Sequence, residues 1–255
     1  MFFPISDDDR HVTTTAFVTY ALLAANVLLF LVQLNDDSFT YGWSVIPREI
    51  TTGVDLVEPQ PIQVGDEVVL IPQAPGPSIL WLTLLSSMFM HGGFGHIAGN
   101  MLYLWIFGNN VEHRFGHFWF LVFYLAAGLV GSFAQIMVNP ESVIPNLGAS
   151  GAIAGVMGAY LVLFPRNRIN AIVLYYVVTV PAIVVLGMWI AMQFFSGVGA
   201  IAATSETGGV AYLAHVGGFM AGVVAGLCCR MTLPNEPDSL LKRQYQSDPK
   251  AHRWW

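Results

Sequence analysis

The chain has 255 residues, of which 55% are hydrophobic and only 10% are charged. Soluble domains carry about 25% charged residues, so this composition leaves too few charges to cover a water-facing surface. The net charge is −6 and the sequence has no basic stripe, which argues against a nucleic-acid partner. The two cysteines, Cys228 and Cys229, are adjacent in an apolar run and predict no disulfide.

Six apolar segments predict an all-α, polytopic membrane protein, because about 20 apolar residues are needed to cross a bilayer. They lie at residues 12–34, 96–113, 118–138, 150–164, 170–195 and 209–230. Nine of the ten Lys and Arg residues fall in the two tails or in the 2–3 and 4–5 loops. Since basic residues mark the cytoplasmic ends of spans, we expect cytoplasmic tails at 1–11 and 231–255 around a membrane domain at 12–230.

The loop between the first two spans, residues 35–95, is expected on the opposite side of the membrane. It is long for a structureless connection, so we expect it to have a fold or role of its own. Residues 68–71 favour a short strand. Residues 79–90 are apolar but too few to span, which favours a re-entrant or interfacial segment.

His96 and Asn100 are four residues apart and therefore share one face of the predicted second span. Strongly polar side chains are costly inside a bilayer, and two explanations stay open for this pair. One is hydrogen bonding between helices, and the other is a functional site. His91 lies nearby, but no HExxH motif or acidic ligand accompanies these histidines, so we expect no metal.

Ser150 begins a predicted span of only 15 residues. At 1.5 Å per residue this helix is about 22 Å long, which is short of a hydrocarbon core of about 30 Å. Irregular backbone at such depth survives only where it lines a cavity, so we expect Ser150 on a cavity floor. Gly148 and Gly151 would let a substrate or a backbone come close. The alternative is a capping serine among tightly packed small residues.

His215 lies about 9 Å inside the predicted sixth span, and the fourth span falls short by about 8 Å. The matching depths predict that His215 meets Ser150, although a histidine in a bundle core would also explain His215 alone. Gly218 and Gly222 recur at every fourth position with Gly226. This spacing predicts a face of small residues that packs closely against the fourth span.

A serine hydroxyl becomes a nucleophile when a neutral imidazole takes its proton. The sequence has no membrane carboxylate to orient His215, so the predicted site is a dyad rather than a triad. His96, Asn100 and the backbone N–H of Ser150 are candidate donors to the oxyanion of the tetrahedral intermediate.

Four motifs in chain order resemble those of the rhomboid intramembrane proteases. They are HGGFGHIAGN at 91–100, EHR at 112–114, GASG at 148–151 and AHVGG at 214–218, and the match covers residues 86–230. The resemblance implies a six-helix bundle with a long membrane-lying loop between the first two helices. It further implies that transmembrane segments of other proteins are cut near the outer membrane face, without metal or cofactor.

The resemblance also implies roles for single residues. Ser150 would be the nucleophile and His215 the base, with His96, Asn100 and the Ser150 N–H as the oxyanion hole. Glu112 and Arg114 would brace the 1–2 loop or the 2–3 turn, although an exposed ion pair is an alternative. Ala154 replaces an aromatic residue that some members place against the histidine. We therefore expect His215 to pack against one of three other residues, namely Tyr212, Tyr160 and Met157.

The leading functional hypothesis is an intramembrane serine endopeptidase in a prokaryotic inner or plasma membrane. Its partners would be a substrate transmembrane helix, the lipid bilayer and water in the cavity. A proteolytically silent rhomboid-like protein that binds membrane helices for quality control is the alternative, but such proteins typically lose the Ser or His. A transporter would need inverted repeats or charged pathway residues, which the sequence lacks. The fifth span, with possible kinks at Pro181 and Gly187, is a candidate gate.

Overall fold

The architecture comes from a computed structural model that describes residues 2–10, 12–202 and 211–232. The described part is mostly helical. Its helices are α1 (Phe17–Gln33), α2 (Asp37–Trp43), α3 (Pro47–Thr52), α4 (Thr83–Ser86), α5 (Phe94–Phe115), α6 (His117–Val138), α7 (Ser150–Leu163), α8 (Ala182–Ala202) and α9 (Tyr212–Thr232). Its strands are β1 (Phe2–Asp7), β2 (Gln60–Val64), β3 (Glu67–Ile71), β4 (Arg168–Val173) and β5 (Tyr176–Pro181). The predicted C-terminal tail beyond residue 232 lies outside the described residues.

Three helices in the described part are long and apolar enough to cross a membrane, and they lie at His117–Val138, Ala182–Gly199 and Tyr212–Thr232. The helices α1 and α7 are apolar but shorter, with 17 and 14 residues. Each of the six predicted spans overlaps one of the helices α1 and α5–α9, whereas a six-fold crossing of the membrane stays a prediction.

The helix α7 lies at the centre of the bundle, since residues 151–160 are all buried. It packs most closely against α9, where glycines take the place of side chains. A Cβ on Gly218 would overlap the carbonyl oxygen of Gly151, and a Cβ on Gly222 would overlap that of Gly155. The predicted small-residue packing between the fourth and sixth spans is therefore confirmed.

The predicted fifth span is wrong over its first part, because residues 168–181 form a β-hairpin and α8 begins only at Ala182. The strands β4 and β5 pair antiparallel, and β1 joins them in the order β1-β4-β5. The predicted N-terminal tail therefore contributes a strand. β-Branched residues dominate the hairpin and suit a sheet. Leu174, with a φ of 57°, lies in its turn, and Pro181 ends β5 instead of kinking a helix.

The predicted loop 35–95 has a fold of its own, as expected. The strand predicted at 68–71 is confirmed as β3, which pairs antiparallel with β2. Residues 79–90 form α4 between two 3₁₀ turns, Leu80–Leu82 and Ser87–Phe89. The loop holds the segment that precedes α7, because Val45 and Asn146 exchange two backbone hydrogen bonds and Gly148 N–H donates to Ser87 O (2.8 Å). The loop thereby positions the first residue of α7.

Glu112 joins the beginning of α1 to the turn between α5 and α6. Its carboxylate is fully buried and accepts hydrogen bonds from Val18 N–H (2.9 Å), Thr19 N–H (2.7 Å) and the Thr19 hydroxyl (2.6 Å). The first N–H groups of a helix lack partners within the helix and attract negative charge. His117 Nδ1 lies 2.6 Å from Glu112 Oε1, the oxygen that also accepts from Val18 N–H.

These contacts correct part of the prediction for the Glu112 and Arg114 pair. Glu112 binds α1 and the 2–3 turn, not the 1–2 loop, and its full burial rules out an exposed ion pair. Arg114 is half-buried at the end of α5. The motif predicts a brace but leaves open which element it holds; for Glu112 the structure selects the 2–3 turn and adds the beginning of α1.

Candidate active site

Ser150 is the first residue of α7, and His215 lies in the first turn of α9. Although they are 65 residues apart in the chain, Ser150 Oγ and His215 Nε2 are separated by 2.7 Å. The expected meeting of hydroxyl and imidazole is therefore present in the structure. The close packing of α7 and α9 explains it, because both side chains project from the same end of that interface.

The backbone before Ser150 depends on Gly148, whose φ is +136°. Residues with a Cβ rarely adopt such a value. A Cβ there would also lie 2.9 Å from Cε1 and Nε2 of His96. The helix α7 then begins without a side-chain cap, so its first N–H groups stay free to donate.

His96 and Asn100 lie on the face of α5 that borders the same cavity. Gly92 N–H donates to His96 Nδ1 (3.3 Å). A neutral imidazole with an accepting Nδ1 carries its proton on Nε2, so this edge of His96 is a donor beside Gly148. Asn100 is 8% exposed, and its Nδ2 has no hydrogen-bond partner among the described residues. Both side chains therefore offer N–H groups to the cavity that Ser150 also lines.

The side chain of His91 packs against the ring of His96. It is buried, and its ring packs edge-on against His96 with centroids 5.2 Å apart. Its backbone exchanges hydrogen bonds with the side chain of Gln33. We therefore assign His91 to packing.

The cavity has a volume of about 980 Å³ and forms where five helices converge. Polar side chains reach it from every one of them, namely His96 and Asn100 from α5, Gln135 from α6, Ser150 from α7, Gln193 from α8 and His215 from α9. A polar cavity of this size can hold water beside Ser150 and His215. The structure thus has the cavity that the short fourth span predicts.

Gly148 and Gly151, which were predicted to bind substrate, are absent from the lining of this cavity, but both line a smaller pocket that Ser150 also borders. Their contact with a substrate stays a prediction. Gly151 is buried and faces Ala214 and Gly218 on α9, so it is a packing residue. A Cβ on Gly148 would lie 2.9 Å from the ring of His96 and 3.5 Å from Ser150 Oγ, so the missing side chain leaves room for both. The prediction did not distinguish a glycine that admits a substrate from one that admits a neighbouring helix.

Two residues of α8 that were not predicted from the sequence, Gln193 and Trp189, contact His215. Gln193 Oε1 lies 2.8 Å from His215 Nδ1, and the ring of Trp189 has its centroid 5.7 Å from that of the imidazole. A glutamine inside an apolar span is itself a signal of function, and this signal was available at Gln193. The expected packing partners Met157 and Tyr212 line the cavity.

The expectation that Tyr160 packs against His215 is wrong. Tyr160 lies ten residues beyond Ser150 along α7, a rise of about 15 Å. Its hydroxyl donates instead to Asp7 Oδ2 (2.6 Å) at the other end of the helix. Asn110 Nδ2 donates to the same oxygen (2.8 Å).

Comparisons with known proteins identify relatives of this chain. A family model described as Rhomboid domain matches residues 80–232. The rhomboid protease GluP of Bacillus subtilis is 35% identical over 147 residues, which cover 58% of this chain and 26% of that protein. Rhomboid protein 1, mitochondrial, of Saccharomyces cerevisiae is 34% identical over 149 residues, covering 57% and 41%. RHOMBOID-like protein 12, mitochondrial, of Arabidopsis thaliana is 31% identical over 159 residues, covering 56% and 45%. The chain spans less than half the length of these relatives.

Proposed function

Since the chain belongs to the rhomboid family, we propose that it is a serine endopeptidase that cleaves transmembrane segments of other membrane proteins near the outer membrane face. The observation that carries this proposal is the 2.7 Å distance between Ser150 Oγ and His215 Nε2. A serine hydroxyl bonded to an imidazole beside a polar cavity is the arrangement that nucleophilic acyl transfer requires.

In the first step, His215 Nε2 takes the proton of the Ser150 hydroxyl while Oγ attacks the carbonyl carbon of the scissile peptide bond. The carbonyl oxygen becomes an oxyanion, which accepts hydrogen bonds from His96 Nε2–H, Asn100 Nδ2–H and the Ser150 backbone N–H. The imidazolium then gives its proton to the leaving amine, and the C–N bond breaks. This leaves an ester between Ser150 and the carbonyl half of the substrate.

In the second step, His215 takes a proton from a water molecule in the cavity, and the resulting hydroxide attacks the ester carbonyl. Breaking the ester returns the proton to Ser150 Oγ and releases a carboxylic acid. The cavity of about 980 Å³ supports this step because it offers space for water beside the dyad. No metal or cofactor takes part in the proposed reaction.

We further propose that α1 and α5–α9 all cross the membrane, with both termini on the cytoplasmic side of a prokaryotic inner or plasma membrane. Arg114 lies at the α5–α6 turn, and Arg166 and Arg168 lie after α7, which supports this orientation. Ser150 then lies toward the outer face. The substrate is a transmembrane helix that unwinds locally at small or helix-breaking residues to reach the cavity.

Reconstitution into liposomes with a test transmembrane substrate examines this proposal. Ser150→Ala and His215→Ala should each lower kcat at least about 10³-fold, because removing one member of such a unit disables the whole. Ser196→Ala is the matched control, since Ser196 is an exposed serine on α8, and it should cleave like the wild type. Equal cleavage by the wild type and Ser150→Ala would contradict the proposal.

A serine-directed fluorophosphonate separates the protease from a proteolytically silent relative. The wild type and Ser196→Ala should be labelled on Ser150, and Ser150→Ala should not. A chain that binds helices without catalysis would show no labelling in any of the three proteins.

A further inference from the structure

The imidazole of His215 contacts polar side chains through both of its nitrogens. Nε2 faces Ser150 Oγ on α7 at 2.7 Å, and Nδ1 faces Gln193 Oε1 on α8 at 2.8 Å. The ring on α9 is therefore held between two other helices. Only the Ser150 contact belongs to the proposed dyad, so the glutamine contact needs its own explanation.

An amide oxygen accepts hydrogen bonds and cannot donate them. With Gln193 Oε1 opposite Nδ1, the proton of the neutral imidazole must therefore be on Nδ1. Nε2 then has a free lone pair toward Ser150, whose hydroxyl donates to it. This tautomer is the one in which His215 can take the proton of Ser150.

A second contact from α8 restricts rotation of the same ring. Trp189 lies four residues before Gln193 and so shares its helix face. Its ring is 5.7 Å from the imidazole centroid at an interplanar angle of 40°. Gln193 therefore sets the proton position, and Trp189 covers one side of the ring.

We propose that Gln193 is a positioning residue that holds His215 in the Nδ1–H tautomer and stabilises the imidazolium formed during catalysis. This inference rests on the proposed protease function. Gln193 takes the place that a carboxylate holds in a triad, but with a neutral acceptor. A neutral partner is suited to a membrane interior, where an unpaired carboxylate is costly.

Three variants of α8 test the role of Gln193 in the liposome cleavage assay. Gln193→Met keeps the length of the side chain but removes the acceptor, and we expect kcat to fall about 10- to 100-fold with little change in KM. This loss is smaller than the about 10⁴-fold effect known for a triad carboxylate, because hydrogen bonds to neutral acceptors are weaker. Met192→Leu, at an exposed neighbouring position, is the matched control and should cleave like the wild type.

Gln193→Glu distinguishes positioning from simple packing. The carboxylate keeps an acceptor at Nδ1 and favours the imidazolium through its charge. We therefore expect Gln193→Glu to cleave better than Gln193→Met and to move the acid limb of the kcat–pH profile to higher pH. Equal kcat values and superimposable pH profiles for the wild type, Gln193→Met and Gln193→Glu would overturn the proposal.

The tautomer of His215 can be read without any cleavage, by nitrogen-15 NMR of histidine-labelled full chain in detergent micelles. We expect a protonated Nδ1 in the wild type and in Ser150→Ala, and a loss of this preference in Gln193→Met. A protonated Nε2 in the wild type would overturn the inference. If the wild type shows the expected tautomer but never cleaves, the proposed function fails, whereas the orienting contact stands.

Discussion

Replacing Gly222 by alanine tests whether the packing of α7 against α9 sets the distance between Ser150 and His215. A Cβ on Gly222 would overlap the carbonyl oxygen of Gly155 and lie 2.7 Å from its carbonyl carbon. Favourable separations between carbon atoms begin at about 3.5 Å, so the two helices must move apart by roughly 1 Å. The obstacle is backbone, which cannot swing aside as a side chain can.

If Ser150 and His215 act as the proposed dyad, the expected cost follows from the distance between them. The distance between Ser150 Oγ and His215 Nε2, now 2.7 Å, would approach 4 Å. A good hydrogen bond requires a distance of about 3 Å. A misplacement of about 1 Å costs about 10²-fold in rate, which is about 2.7 kcal/mol of activation free energy. Overpacking should also lower the free energy of unfolding by about 1–3 kcal/mol.

The assay measures kcat/KM on the transmembrane substrate together with the thermal midpoint in micelles. Gly199→Ala is the matched control, because Gly199 is also helical and nothing lies within 4 Å of its added Cβ. It should keep wild-type activity and an equal or slightly higher midpoint. If Gly222→Ala matches Gly199→Ala in both measurements, helix packing does not set the geometry of the site.

Three further predictions concern residues around the site and at the opposite end of the bundle. Glu112→Ala should lower the free energy of unfolding by about 2–4 kcal/mol, because buried donors on α1 lose their acceptor; chemical denaturation in micelles measures it, and an unchanged midpoint would contradict it. Gly148→Ala should cut kcat/KM at least about 10-fold, since a φ of +136° strains any residue with a Cβ by about 1–3 kcal/mol; wild-type kinetics would argue against a role for this conformation. Burial raises the pKa of Asp7 from 3.8 to about 7, so the stability that its protonated form contributes is fully present below pH 3.8 and is lost as the pH rises through about 7. Asp7→Asn should therefore flatten the pH dependence of the thermal midpoint over that range, and an equally steep dependence in the variant would count against it.

The helical elements and the meeting of Ser150 with His215 were predictable from the sequence because they depend on local quantities. The rise per residue of a helix converts residue counts into depth in the membrane. The depth of Ser150, at the start of a span of 15 residues, can therefore be compared with that of His215, in the first turns of the sixth span. The spacing of Gly218 and Gly222 likewise identifies a face for close packing without knowledge of the fold.

The errors arose where partners lie far apart in the chain. β1 pairs with β4 across more than 160 residues, and this pairing makes a sheet of a segment whose apolar composition alone also suits a helix. The turn at Leu174 contains neither glycine nor proline, so the usual punctuation of a hairpin was missing.

The sequence by itself determined which polar residues lie in apolar segments that are expected to span the membrane. It thereby identified the candidate site residues, namely Ser150, His215, His96 and Asn100. Only the tertiary structure decided what each polar group contacts, such as Gln193 at the second nitrogen of His215 and α1 at the carboxylate of Glu112. The physical reason is that burying a polar group demands a partner, while its identity depends on how helices rotate and pack against one another.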